Sequence, residues 1–292
     1  MDSVLVWLVV FISSCWTHRK WIVSYCTLRV SALHYTALHF TTLRSNLSSS
    51  TLNCRTFHYS IPSGSVASRA GPLLAACDRF EVLISGVGGH AAMPHLTVDP
   101  IVAASAIVMN LQTIVSRTIS PLESGVCSIT KIEAGEAFNI IPASVLMRGT
   151  IRSLATDTLM ELQKKVDHII LSTSEVYGCN TTITWSPDFY PATKNDPTLF
   201  EEFSKDVGAS VSEEGVTRDI EPTMGAEDFA FVAENIPSTF FLLGQGSGTS
   251  PPTNYGLHHP HFALDESVLP RGVELHVALA LRALRKIQME QA

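Results

Sequence analysis

The feature that most constrains the fold is a change of hydrophobic period, from two to about 3.6 and back, repeated in one order across residues 80–190. Phe80-Glu-Val-Leu-Ile-Ser-Gly-Val is an apolar, β-branched run ended by Gly88-Gly89, the pattern of a strand followed by a turn. Asp99 then stands as a helix cap with Pro100 in the first turn. Ile101, Ala104, Ser105, Val108, Leu111, Gln112 and Val115 fall on one helical stripe. Gly125 to Ile132 and Val145 to Leu154 alternate as two strands, joined by the loop Ala134 to Pro142, and read as a hairpin-like pair. Asp157 opens a second helix, apolar at Leu159, Leu162, Val166, Ile169 and Ile170 and ended by Gly178; Asn180 to Trp185 supplies a fourth strand. The order β-α-β-β-α-β predicts a split βαβ layer, a four-stranded sheet with two helices on one face.

That layer is ferredoxin-like, and such layers serve as dimerisation modules, small-ligand sensors and nucleic-acid binders alike, so function has to be argued from particular residues. After Pro191 the pattern changes to a helix over Pro197 to Val207, a Gly/Glu/Asp-rich loop, a strand at Thr239 to Leu243 and a last helix from about Pro270 to Ile287. These suit the end of a larger α/β sheet. Cys54 to Cys77 is too short a stretch for the several parallel strands that the beginning of such a sheet needs. Residues 1–56 differ in composition. No acidic residue lies between Asp2 and Asp78, and Val4 to Ile12 is an apolar run of secretory length without a basic residue before it. The head is therefore either a signal or organelle transit segment or a non-native start, with a cytoplasmic location expected otherwise.

Charge and cysteine usage narrow the classes further. A formal net charge of -7 without Lys/Arg runs excludes an electrostatic nucleic-acid footprint. Six widely spaced cysteines, with no CxxC, read as free thiols rather than as a zinc finger or a disulfide scaffold. Asn46-Leu-Ser and Asn180-Thr-Thr match a glycosylation sequon, a pattern too short to fix a compartment. Four clusters are rich in His, Asp, Glu and Gly: Phe57-His58-Tyr59, Gly88 to His95, Met224 to Phe229, and Leu257-His258-His259-Pro260-His261-Phe262. Histidine is a common zinc ligand, and catalytic zinc sites take about three protein ligands with one open position. A single His beside an aromatic is more often structural, and Glu227-Asp228 can present at most one acid to a site.

Taken in order, Phe57-His-Tyr-Ser, Gly64-Ser-Val-Ala-Ser-Arg-Ala-Gly-Pro-Leu-Leu-Ala75, Gly88-Gly-His-Ala-Ala-Met-Pro-His95, Asp99-Pro100, Phe138-Asn-Ile-Ile-Pro142, Gly149-Thr-Ile-Arg152, Met224-Gly-Ala-Glu-Asp-Phe229 and Leu257 to Phe262 resemble the M20 peptidase family. The likeness is to its amidohydrolase branch, which includes plant indole-3-acetic acid–amino acid hydrolases and bacterial N-acyl-amino-acid hydrolases, and it runs from about residue 57 to the C-terminus. The resemblance implies an α/β catalytic domain of the zinc-peptidase type, incomplete here, over 57–79 and 191–292. It also implies an inserted ferredoxin-like dimerisation domain over 80–190. His58 and His258 stand where the family has metal ligands for zinc or manganese. His90 matches the histidine that reaches across a dimer to stabilise the oxyanion. Asn139 and Arg152 match positions that hold the substrate's carboxylate.

The family also has a Cys-x-His-Asp type motif before the His58 position, followed by a Glu-Glu pair that supplies the general base and a metal ligand. The sequence carries neither there, and Glu213-Glu214 falls after the satellite domain. The expected reaction is hydrolysis of the amide bond of an N-acyl or auxin-type amino-acid conjugate, with activity of this chain in question for want of the base. The expected partners are a second copy or a full-length relative, paired through 80–190, and a small acyl-amino acid. The alternative is a non-catalytic dimerisation or binding protein, or a small-ligand sensor anchored on Asn139 and Arg152.

Overall fold

The computed structural model describes residues 38–41, 51–58, 61–211, 216–246, 255 and 259–289. In chain order the strands and helices begin with β1 (Leu38–Thr41), β2 (Thr51–His58), β3 (Val66–Ala67), β4 (Gly71–Leu74), β5 (Ala76–Ser85) and β6 (Gly89–His90). They continue with α1 (Pro100–Thr113), β7 (Val126–Ala134), β8 (Ile140–Ile141), β9 (Ser144–Ser153), α2 (Thr156–Val176) and β10 (Asn180–Trp185). Last come β11 (Thr193–Asn195), α3 (Pro197–Val211), β12 (Val216–Thr217), α4 (Ala230–Ala233), β13 (Ser238–Gly244) and α5 (Leu269–Met289). The chain divides into two compact units: residues 1–73, 194–221 and 231–292 in the first, and residues 74–193 and 222–230 in the second.

The second unit is built on a four-stranded sheet in the order β10-β5-β9-β7, with every neighbouring pair antiparallel. β5 alternates along its length, so Phe80, Val82 and Ile84 face a core that they share with Val145, Met147 and Ile151 of β9. Ala103, Ala104, Ile107 and Leu111 of α1, with Leu159, Leu162, Val166 and Ile170 of α2, complete that core. Both helices therefore cover one face of the sheet. α1 starts where Asp99 accepts the Ile101 N–H at 2.9 Å, with Pro100 in the first turn. α2 ends before Gly178, whose φ of 73° is a left-handed conformation natural to glycine.

The elements of this unit follow the order that periodicity predicts, with two corrections. β5 begins at Ala76 rather than Phe80, because its ladder with β9 continues to the Ala76↔Ser153 pair. The stripe on α1 is also turned about its axis: Pro100, Ala103, Ala104, Ile107 and Leu111 are buried, while Ile101 and Val115 are each 41% exposed. The helix is apolar on most of its surface, so periodicity alone does not single out the buried face. Although the length and hydropathy of Pro100–Thr118 also suit a membrane span, its inner face is taken up by the core just described.

The first unit has a five-stranded sheet in the order β1-β2-β13-β3-β12. β13 pairs parallel with β2 and antiparallel with β3, and β3 pairs parallel with β12. All seven residues of β13 are buried. Phe241 and Leu243 of that strand pack with Val66, with Leu199, Phe200 and Phe203 of α3, and with Leu275 and Leu279 of α5. Four strands, β2 to β5, lie wholly or partly within Cys54 to Cys77. The stretch is short yet strand-rich because β2 and β13 pair across a long sequence separation rather than locally.

Candidate functional site

Gly88 allows two distant segments of the second unit to meet, and Gly86 lets the chain pass close to Val98. A Cβ at Gly86 would lie 2.1 Å from the Val98 carbonyl oxygen, and one at Gly88 would lie 2.8 Å from the Ile141 carbonyl oxygen. Such contacts exclude any side chain there, so only glycine permits the close approach. The result is a two-stranded pairing of β6 with β8, Gly89↔Ile141 and His90↔Ile140, extended by the Ala91 N–H donating to the Asn139 carbonyl at 3.0 Å. His90 and Asn139, 49 positions apart in sequence, are thereby side by side, and both are exposed.

The His90 ring is oriented by its own backbone. Its Nδ1 accepts the Ala92 N–H at 3.0 Å. A neutral imidazole whose Nδ1 accepts carries its proton on Nε2, so His90 presents an N–H donor, the chemistry needed to stabilise a developing oxyanion. Around it the surface is apolar: Phe138 is fully exposed, and Val87, Met93, Leu96 and Ile140 are each about half exposed or more.

Arg152 stands elsewhere in the unit. It lies eight positions along β9 from Ser144, about 26 Å from the end of the strand that follows β8, at about 3.3 Å per residue. Its Nη1 donates to the Met224 carbonyl at 2.6 Å. The segment containing Met224 is fastened further by the Ala75 N–H donating to the Gly225 carbonyl at 2.8 Å and by the parallel bridge Leu74↔Thr223. The Met224 to Phe229 cluster thus packs in the second unit, with Phe229 fully buried, although the sequence places it among the catalytic-domain residues. The Arg152 contact is to a backbone carbonyl, for which side-chain patterning gives no signal.

Of the two histidines that the resemblance implies as metal ligands, His58 falls in the first unit. His58 ends β2 opposite Gly244, the last residue of β13, at the carboxyl end of a parallel pair. That is the end at which open α/β sheets bind ligands. His258 lies outside the described residues, among which no group of three or more His, Cys, Asp or Glu side chains could hold a metal ion. Cys77, Cys127 and Cys179 are free and buried, as their spacing predicts.

The ordered motifs on this α/β framework agree with comparison to known proteins. The sequence profile of Peptidase family M20/M25/M40 matches residues 35–282, and the chain belongs to that family. The match starts inside the stretch that composition sets apart. Among curated relatives, "IAA-amino acid hydrolase ILR1-like 4" of Arabidopsis thaliana is 40% identical over 229 residues, 77% of this chain and 51% of the relative. "N-acetylcysteine deacetylase" of Bacillus subtilis is 35% identical over 228 residues, 78% of this chain and 57% of the relative. The chain spans about half the length of the curated relatives it matches. Among solved structures, the Bacillus subtilis YXEP protein, described as a dinuclear metal binding peptidase from the M20 family, superposes with a TM-score of 0.64 at 28% identity. That match covers 82% of this chain and 58% of the other.

Proposed function

We propose that the chain acts in an M20-type metal-dependent amidohydrolase that cleaves the amide bond of N-acyl or auxin-type amino-acid conjugates. Residues 80–190 are its ferredoxin-like dimerisation domain, inserted into an α/β catalytic domain of the zinc-peptidase type. Relatives named for IAA-amino acid hydrolysis and for N-acetylcysteine deacetylation support this substrate class, since both names describe an acyl group on an amino acid.

The observation that carries the reading is the β6–β8 pairing, which sets Asn139 beside a His90 ring already held as a donor. In the reaction His90 Nε2–H stabilises negative charge on the amide oxygen, while Asn139 and Arg152 hold the substrate's carboxylate. Along β9, Arg152 lies about 26 Å from the strand end that adjoins β8, a span longer than one small substrate. Two copies, or this chain and a full-length relative, remove that difficulty if His90 and Asn139 of one serve Arg152 of the other.

His58 and His258 would hold the divalent metal, zinc or manganese, and imidazole is a ligand type that zinc favours. The position of His58 at the carboxyl end of the parallel β2–β13 pair fits such a role. A divalent cation there supplies Lewis acidity toward the amide carbonyl. The test is metal analysis of the purified chain alongside amino-acid release from an indole-3-acetyl or N-acetyl amino acid. Near-stoichiometric metal with chelator-sensitive release is expected, and metal-free, inactive dimers would overturn the proposal in favour of a non-catalytic dimerisation protein.

A further inference from the structure

Asn180-Thr181-Thr182 is an N-glycosylation acceptor pattern that the hydrolytic reading leaves unused. The pattern needs a hydroxyl two positions after the asparagine, and a strand places those two side chains on one face. The three residues begin β10, which stands at an edge of the four-stranded sheet beside β5. Register sets the direction of each side chain. Thr181 lies opposite the core residue Ile84, and its hydroxyl donates to the buried Ser174 Oγ at 2.6 Å. Asn180 and Thr182 lie opposite Ser85 and Leu83, on the face away from the helices, and both are exposed.

A glycan is bulky and solubilising, so its asparagine must be accessible and its surroundings must leave room. Asn180 meets both conditions. It follows closely on the turn at Gly178, whose φ of 73° reverses the chain between α2 and β10. No hydrogen bond ties its amide among the described residues. Beside it the sheet presents an open backbone edge and Leu83, which is 43% exposed. An uncovered edge with apolar surface next to it invites non-specific strand pairing, which a glycan would block.

We propose that Asn180 is an N-glycosylation site and that the chain accordingly enters a secretory lumen. Val4 to Ile12, an apolar run of secretory length, fits such an entry. The co-reactant is an oligosaccharide carried on a lipid diphosphate and delivered by an oligosaccharyltransferase. The bond between Asn180 Nδ2 and the anomeric carbon forms as the bond from that carbon to the diphosphate oxygen breaks. The lipid diphosphate leaves with the electron pair, and the amide nitrogen gives up one proton. The attached glycan covers the β10 edge and leaves the opposite edge, β7, uncovered. The assignment holds whether or not the chain hydrolyses amides.

Translation of the full chain in the presence of microsomes tests it, with mass compared before and after peptide N-glycosidase. Asn180→Gln and Thr182→Val should each run one glycan lighter than the unaltered chain, whatever happens at Asn46. Thr182→Ser and Thr181→Val should keep the glycan. The purified glycosylated chain should melt no lower than its enzymatically deglycosylated form. An unaltered chain insensitive to the glycosidase, an Asn180→Gln chain of unchanged mass, or a lower melting temperature with the glycan attached would each overturn the proposal.

Discussion

The two units of this chain bury their cores in different ways. In the second unit every strand of the main sheet is antiparallel to its neighbours, and strands and helices follow each other along one nearly continuous segment. In the first unit three separate segments meet, and the central strand β13 is flanked by β2 and β3, far earlier in the chain. The contrast teaches that local pattern specifies the second unit, whereas the first depends on pairings that pattern does not encode. Each unit also has its own hydrophobic cluster.

Separate cores make separate responses to mutation the strongest expectation. Phe241→Ala empties part of the first cluster and should cost about 3–5 kcal/mol, and Ile107→Ala should cost the second about 2–5 kcal/mol. Native-state hydrogen exchange would show each loss in amides of the mutated unit alone; equal loss in both would break the distinction.

Asn195 sharpens the picture of the first unit. Its side chain accepts the Phe240 N–H at 2.7 Å and donates to Ser68 Oγ at 2.9 Å and the Arg69 carbonyl at 2.7 Å. It thereby joins the segments before and after the second unit. Asn195→Ala should cost about 1–3 kcal/mol for each buried group left unpaired, measured by urea denaturation.

In the second unit, burial pushes the Cys127 thiol from an ordinary 9.0 up to about 11. The folded state therefore keeps its proton after the unfolded chain has lost it. Stability from this residue is fully present below pH 9 and falls as pH rises toward 11, by on the order of 2 kcal/mol. Cys127→Ala should flatten that alkaline slope in denaturation curves taken across the range. The smallest effect belongs to the α1 cap: Asp99→Ala removes the acceptor of the Ile101 N–H and should lower stability by about 1 kcal/mol, read as a small shift in thermal midpoint.

Much of this architecture is legible in the sequence because alternating residues such as Phe80, Val82 and Ile84 report a one-sided sheet directly. The parallel pairing of β2 with β13 is not legible, since nothing local in Thr51–His58 names a partner nearly two hundred residues later. The proposed site divides in the same way. His90 and Asn139 stand out by motif, but their adjacency depends on Gly88 having no Cβ, and the His90 tautomer depends on a backbone N–H. Arg152 is recognisable as a strand arginine, while its hold on the Met224 carbonyl leaves no trace in side-chain pattern.

The central claim is that the second unit of one chain offers His90 to the hydrolytic site of another. Its most direct test mixes this chain with a full-length relative whose histidine at the His90 position is replaced by alanine, and measures amino-acid release from an indole-3-acetyl amino acid. The relative alone should have lost about 100-fold to 1,000-fold in turnover. Adding this chain should restore activity in proportion to heterodimer formed, and adding the His90→Ala chain should not. Heterodimers without any gain in turnover would contradict the account.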